Sequence, residues 1–423
     1  MKPPRALLLG LHACVALTVW CIAAGCNSSS NGAPLPTSPP ATPVPTPTPA
    51  YHVIYRFQGG NDGAVPTGGM TVAGGVLYGT TESGGAGGDG TAFSLAPGAA
   101  TDTVLHAFTG SPADGKAPFA APIALDGVLY GTTAYGGANG RGTIFRIDED
   151  GANYRLLYQF GAKTSTDGQV PFAGLTAVGS TLYGITSGGG THHQAGTTFE
   201  IDPNGSNYAV LHNFGAGTDG VEPLASLTLS GGALYGTTAY GGKYPCRLYS
   251  YCGTLFRMDA NGGERVLYDF GRAKDGYGPQ ASLTDDNGRL YGTTYLGGSY
   301  GLCPNGHGVD RTCGTVFGID ADGRGYSVLR EFGSRGGSEP LGNVIVVNGL
   351  LYGTTYFGGD FNAGTVFNVH TDGSRYHVVH SFGASATDGK FPQGNLAYSN
   401  GVLYGTTTQG GSGNSGTVFS ITP

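Results

Sequence analysis

Four kinds of residue in this 423-residue chain could do chemistry: cysteines, histidines, aspartates and loop tyrosines. Of seven cysteines, Cys14 and Cys21 lie in an apolar N-terminal run and Cys26 closes it. The other four sit in two long insertions, YPCRLYSYC (244–252) and SYGLCPNGHGVDRTC (299–313). In an oxidising compartment, four cysteines in two loops read as two disulfides, expected as Cys246–Cys252 and Cys303–Cys313. The alternative chemistry is zinc, with His307 as an added ligand. Spacings of five and nine intervening residues do not suit the usual zinc knuckles, so no metal and no cofactor are expected.

His106, His212 and His380 fall where Tyr55, Tyr158 and Tyr268 fall in other copies of a repeated phrase. That substitution reads as a structural position rather than a metal cluster. His192-His193 lies in a variable loop and is kept as a binding candidate. Asp62, Asp114, Asp167, Asp219, Asp275 and Asp388 form a near-ring, each opening a turn, where Asp stabilises its own backbone. Asp-x-Asn-Gly turns lack the remaining ligands of an EF-hand loop. No activated nucleophile or isolated acid pair stands out.

The elements that must position these residues are legible from a repeat. The phrase Leu-Tyr-Gly-Thr-Thr, or a close variant, carries a tyrosine at Tyr78, Tyr130, Tyr183, Tyr235, Tyr291, Tyr352 and Tyr404. A proline stands twelve residues before each, Gly-Thr-x-Phe follows each, and a YxVLYxF-type run ends each unit. With 80 glycines and no long amphipathic run, the chain reads as many short strands joined by turns. Each unit supplies strand a after the proline (173–178 in the third unit), strand b at LYGTT, strand c at GTxF and strand d at YxVLYxF. Asp126-Gly127, Asn287-Gly288, Asn348-Gly349 and Asn400-Gly401 are two-residue hairpin turns between a and b. Four antiparallel strands in about 50 residues make a propeller blade of kelch size.

The units run near 66–108, 118–160, 171–214, 223–270, 279–332, 340–382 and 392–423. The repeat region opens with a lone strand d at 51–57 and ends after strand c of the seventh unit. Pairing those two closes the ring and removes its edges. The expected fold is an all-β, seven-bladed propeller over residues 51–423. Variation concentrates in the b–c loops, which share one face with the d–a loops, and a variable face is where loops carry function. Tyr135, Tyr240, Tyr295 with Leu296, and Tyr356 with Phe357 stand there, and together with His192 and His193 they are the ligand-binding candidates.

The LYGTT…GG…GTVF phrase, with FG…DG…P after it, resembles the GloVer tandem repeat of bacterial choice-of-anchor proteins over residues 51–423. The resemblance implies exported chains with varied attachment devices and carries no reaction. The sixth unit departs from it, with Gly336-Gly337 in place of Asp-Gly.

The N-terminus is expected to be such a device. Lys2 and Arg5 precede the apolar run 6–25, which closes on Ala23-Ala24-Gly25-Cys26. Residues 1–25 read as a lipoprotein signal peptide, Cys26 as the lipidated residue and 26–50 as a proline-rich linker. The expected location is the outer membrane or cell surface, with the membrane engaged through lipid. A net charge of −7 without a basic cluster argues against nucleic acid. The expected function is a surface-anchored binding, adhesion or scaffold module for a glycan or protein. The alternative is an exported glycan-active enzyme, a hydrolase or lyase, with its site at the channel mouth.

Overall fold

The structure is a computed structural model and describes residues 50–162, 166–245, 252–259, 262–272, 274–298 and 313–423. The signal and linker segments, Cys26, Cys246 and Cys303 lie outside the described residues. Within the compact unit Thr48–Pro423, seven four-stranded antiparallel sheets follow one another along the chain. The only helical element among the described residues is a turn at Ser334–Gly336, and no helix there is long and apolar enough to cross a membrane.

Blade 2 shows the unit: strand a Ile123–Leu125, b Val128–Thr133, c Thr143–Asp148 and d Arg155–Gln159. Strand a is shorter than its sequence suggested; in blade 3 it is Thr176–Val178. The residues just before it are drawn into the crowded centre instead. A Cβ at Gly68 would stand 2.4 Å from the Ala121 nitrogen of the next blade, so the small residues after each proline are needed for close approach. The expected hairpin turns are present, with left-handed backbone at Asn348 and Gly349 (φ 52° and 77°).

Ring closure is as expected, displaced by one residue. The first strand, Ala50–Arg56, pairs antiparallel with Thr417–Thr422 and completes blade 7, with Phe57 just beyond it.

The core lies between the blades. Every strand d is followed directly by a phenylalanine that meets the strand c phenylalanine of the next blade edge-on. The seven pairs run from Phe57–Phe93 at 5.2 Å round to Phe382–Phe419 at 5.1 Å. All these rings are buried, and such pairs contribute about 0.5–1.5 kcal/mol each beyond their area. The strand b glycine exists for that ring: a Cβ at Gly353 would be 2.7 Å from Phe367 Cζ. The threonines are fasteners. Thr133 Oγ1 meets Thr143 Oγ1 at 2.8 Å between strands b and c, and Thr132 donates to Ala173 O of the next blade at 2.8 Å.

Candidate functional site

The b–c and d–a loops do share a face, because they pair with each other there. Short ribbons join Gly115–Lys116 to Tyr135–Gly136 and Gly220–Val221 to Tyr240–Gly241, with counterparts in blades 3, 5 and 7. Blades 1 and 6 make single bridges, Ala64 to Ser83 and Ser338 to Phe357.

The residue before each blade's proline is left-handed, from Ala117 at φ 52° to Gly278 at φ 63°. Side chains other than glycine seldom take that conformation, and six of the seven are not glycine. Two hydrogen bonds hold each one. Val170 N–H donates to Arg141 O of the preceding blade at 2.8 Å, and Val170 O accepts from Ser187 N–H of its own blade at 3.1 Å. The kink turns the residue after each proline toward the axis.

Those post-proline residues line a central cavity of about 300 Å³ on the loop face. Phe119, Phe172, Leu224 and Leu341 give an apolar arc; Thr67, Gln280 and Gln393 give the polar part. Ser226, Ser282 and Asn395 add hydroxyl and amide groups. None of the described lining residues carries a charge or titrates near neutral pH.

The aromatic candidates divide into groups. Tyr135, 39% exposed, packs edge-on to Phe172 at 6.3 Å, and Phe172 meets Phe119 at 5.0 Å, so Tyr135 extends the cavity wall outward. Tyr356, Phe357 and Phe391 form a second, half-buried group with centroids 4.7 to 5.5 Å apart. Tyr295 donates to Glu339 Oε2 at 2.8 Å, and Leu296 beside it is buried. Tyr240 is half-buried on its ribbon opposite Val221. His192 and His193 are exposed, with Thr191 Oγ1 3.2 Å from His192 Nδ1. Sequence reasoning missed Phe119, Phe172 and the exposed Phe361. The signal for the first two is the post-proline register itself, which on sequence alone points only to the small pair that follows.

The aspartate ring lies on the same face, further from the axis, and does more than hold its turns. A β-bulge in every strand d shifts the register before its final residues. This aims one side chain at the neighbouring blade. His106 thereby stacks on Tyr154 of the next blade at 3.5 Å, and His380 on Tyr51 at 3.5 Å. Tyr158 stacks on Tyr208 at 3.7 Å and Tyr268 on Tyr326 at 4.0 Å. The aspartate ties such pairs together. Asp114 accepts from His106 Nε2 at 2.9 Å, from Tyr154 OH and from the Thr109 and Gly115 amides. Tyr51 donates to Asp388 at 2.6 Å and Tyr208 to Asp167 at 2.8 Å. In blade 6, which lacks the aspartate, Tyr376 donates to Gly336 O and Arg330 lies 3.8 Å over its ring.

These surroundings split the carboxylates. Burial disfavours charge at Asp114 and Asp388, but it is outweighed and both are held at about 2. At Asp114 it is outweighed by hydrogen bonds from His106 and Tyr154. At Asp388 it is outweighed by the hydrogen bond from Tyr51, backbone amides and the nearby His380, 3.6 Å away. At Asp275 burial wins and the carboxyl is pushed up to about 6. Between blades 3 and 4 the tyrosine position holds Glu264, whose carboxyl is pushed up to about 7 by burial and then by the Asp219 charge.

The cysteines Cys252 and Cys313 border the two insertions and are both buried. Their expected partners lie outside the described residues.

No curated protein matches the chain. Among solved structures, an oligogalacturonate lyase from Vibrio parahaemolyticus is similar over 89% of this chain and 92% of its own, at 12% identity and a TM-score of 0.52. An oligogalacturonate lyase in complex with manganese covers 89% and 91% at 12% identity and a TM-score of 0.46. A nidogen/laminin complex covers 66% and 84% at 14% identity and a TM-score of 0.39. At these identities the likeness extends to the propeller fold alone. The model of the Gloeobacter/Verrucomicrobia repeat matches residues 43–250, 162–309 and 300–423, the whole of the propeller. The chain belongs to that repeat family.

Proposed function

We propose that this protein is a surface-anchored recognition module whose ligand, a neutral glycan or an apolar protein element, seats on the loop-face mouth of the central channel. The observation that carries the reading is the composition of that mouth. Phe119, Phe172 and Tyr135 offer ring faces, and Gln280, Gln393 and Thr67 offer amide and hydroxyl groups beside them. Rings for stacking and uncharged hydrogen-bonding groups suit a sugar or a protein side chain.

The lyase-like fold raises the enzyme alternative, but acid–base catalysis needs a titratable group within hydrogen-bond reach of the substrate. The described cavity wall supplies phenyl, aliphatic, amide and hydroxyl groups, a composition that favours binding. Lipid on Cys26 and the linker through residue 50 would hold the propeller off the membrane. Disulfides Cys246–Cys252 and Cys303–Cys313 would brace the two insertions, at roughly 2 to 3 kcal/mol each by chain-entropy arguments. Cys252 and Cys313 do not titrate as free thiols, which supports disulfide bracing of the insertions.

A glycan array probed with the mature chain, followed by an assay for released sugar on each bound glycan, tests the reading. Binding without release supports it; turnover of a bound glycan would replace it with the enzyme.

A further inference from the structure

Of the seven interfaces around the aspartate ring, two place a carboxylate where the facing group is otherwise a hydrogen-bond donor, and only one of the two lacks a phenol to bridge it. At five of them the incoming residue is a tyrosine: Tyr154, Tyr208, Tyr326, Tyr376 or Tyr51. Between blades 7 and 1 it is Asp102. There Tyr55 OH bridges the two carboxylates, 3.0 Å from Asp62 and 2.9 Å from Asp102. Between blades 3 and 4 it is Glu264, and no phenol intervenes. His212 Nε2 lies 2.9 Å from Asp219 Oδ2, and ligand atoms of His212, Asp219 and Glu264 all fall within 4.8 Å of one another. Glu264 Oε1 is screened from solvent and has no hydrogen-bond partner.

Two carboxylates that face each other are relieved by a proton on one of them or by a bound cation, and with no phenol between Glu264 and Asp219 a cation has ligands to meet there. The Asp219 side of the cluster opens on a separate cavity of about 280 Å³ on the loop face, lined by Gly215, Thr218, Gly241 and Lys243 among others. Of the three cluster residues Asp219 lines that cavity, beside Lys243. We propose that His212, Asp219 and Glu264 form a binding site for a divalent first-row transition ion, with Zn²⁺ as the type case.

One imidazole and two carboxylates match such an ion in ligand type. Ca²⁺ would require six to eight oxygens, more than the cluster supplies. Bonds of about 2.0–2.2 Å require Glu264 to swing inward, and its unpartnered Oε1 costs no existing hydrogen bond in doing so. The histidine that reads as structural from sequence keeps its place in the ring; the glutamate beside it changes its chemistry.

The test uses mature protein without a polyhistidine tag, stripped with chelator and titrated with Zn²⁺ or Ca²⁺ while its melting temperature is followed. Direct 1:1 binding is measured by calorimetry, and the d–d absorption of bound Co²⁺ reports the ligand set. Glu264→Tyr restores the residue type found at the other interfaces and is the variant best placed to fold. One Zn²⁺ equivalent should bind, and the melting temperature should rise with Zn²⁺ but not Ca²⁺. Both effects should be lost in Glu264→Tyr, and affinity should fall at least tenfold in His212→Ala. The proposal is overturned if Zn²⁺ binds no better than Ca²⁺, or if Glu264→Tyr folds and binds Zn²⁺ undiminished. It is equally overturned if binding is lost only on replacing the exposed His192 and His193.

Discussion

Asp114, Asp388 and Asp275 hold the same position in three blades and respond to acid in opposite senses. Asp114 and Asp388, held at about 2, favour the folded state in their charged form. Their contribution is complete above the ordinary carboxylate value near 3.8 and is lost as pH falls from there through about 2. Asp275, pushed up to about 6, favours the folded state when protonated. Its contribution is complete below about 3.8 and is lost as pH rises through 6. Melting temperatures of Asp114→Asn and Asp275→Asn across pH 2 to 7 should therefore show opposite trends against the parent. Asp114→Asn should lose its deficit as pH falls below 4, and Asp275→Asn should gain on the parent between pH 4 and 6. Parallel trends would contradict the assignment. The sequence showed these aspartates as turn formers, and they are. It could not show that a bulge delivers a tyrosine or histidine to the same carboxylate, because His106 and Tyr154 are 48 residues apart and sit in different blades.

The blade interface is the element at which this protein is built. Each carries one phenylalanine pair, and most carry one stack beneath a turn aspartate. Six of the aspartates were readable as a recurring Asp-Gly, and so was the gap at Gly336-Gly337. The consequence of the gap was not: Arg330 lies over Tyr376 with a buried Nε that has no partner. A Cβ at Gly336 would point at that guanidinium, 3.0 Å from Nη2. Gly336→Asp should supply the missing carboxylate and stabilise the domain by about 1.5 kcal/mol, the low end of the net scale for a hydrogen bond to a charged group. A raised melting temperature checks this; a lowered one would show that blade 6 has settled into a different arrangement. The channel mouth failed to be read for a related reason. Post-proline residues recur every 50 or so positions with unlike side chains, and only the closed ring makes Phe119, Phe172 and Gln280 neighbours of one cavity.

The propeller unit is a ring closed by the strand Ala50–Arg56, and the complementary strands at the two ends of the repeat region make that legible in the sequence. Tyr51 and Phe57 tie that strand to both neighbours, Tyr51 to His380 of blade 6 and Phe57 to Phe93 of blade 1. Deleting residues 50–56 should therefore abolish cooperative folding rather than fray one end; an unchanged thermal transition would contradict closure. Closure also gathers the loop face into one surface, and the central claim is that recognition happens at its centre. The most direct measurement is the affinity of one array-selected ligand for the parent, for Phe172→Ala and Gln280→Ala at the mouth, and for Asp202→Ala with Asn204→Ala on the opposite face. Recognition at the mouth predicts a loss of about 1 to 3 kcal/mol for each mouth variant and no change for the opposite turn. Undiminished binding by both mouth variants, with loss on the opposite face, would contradict it.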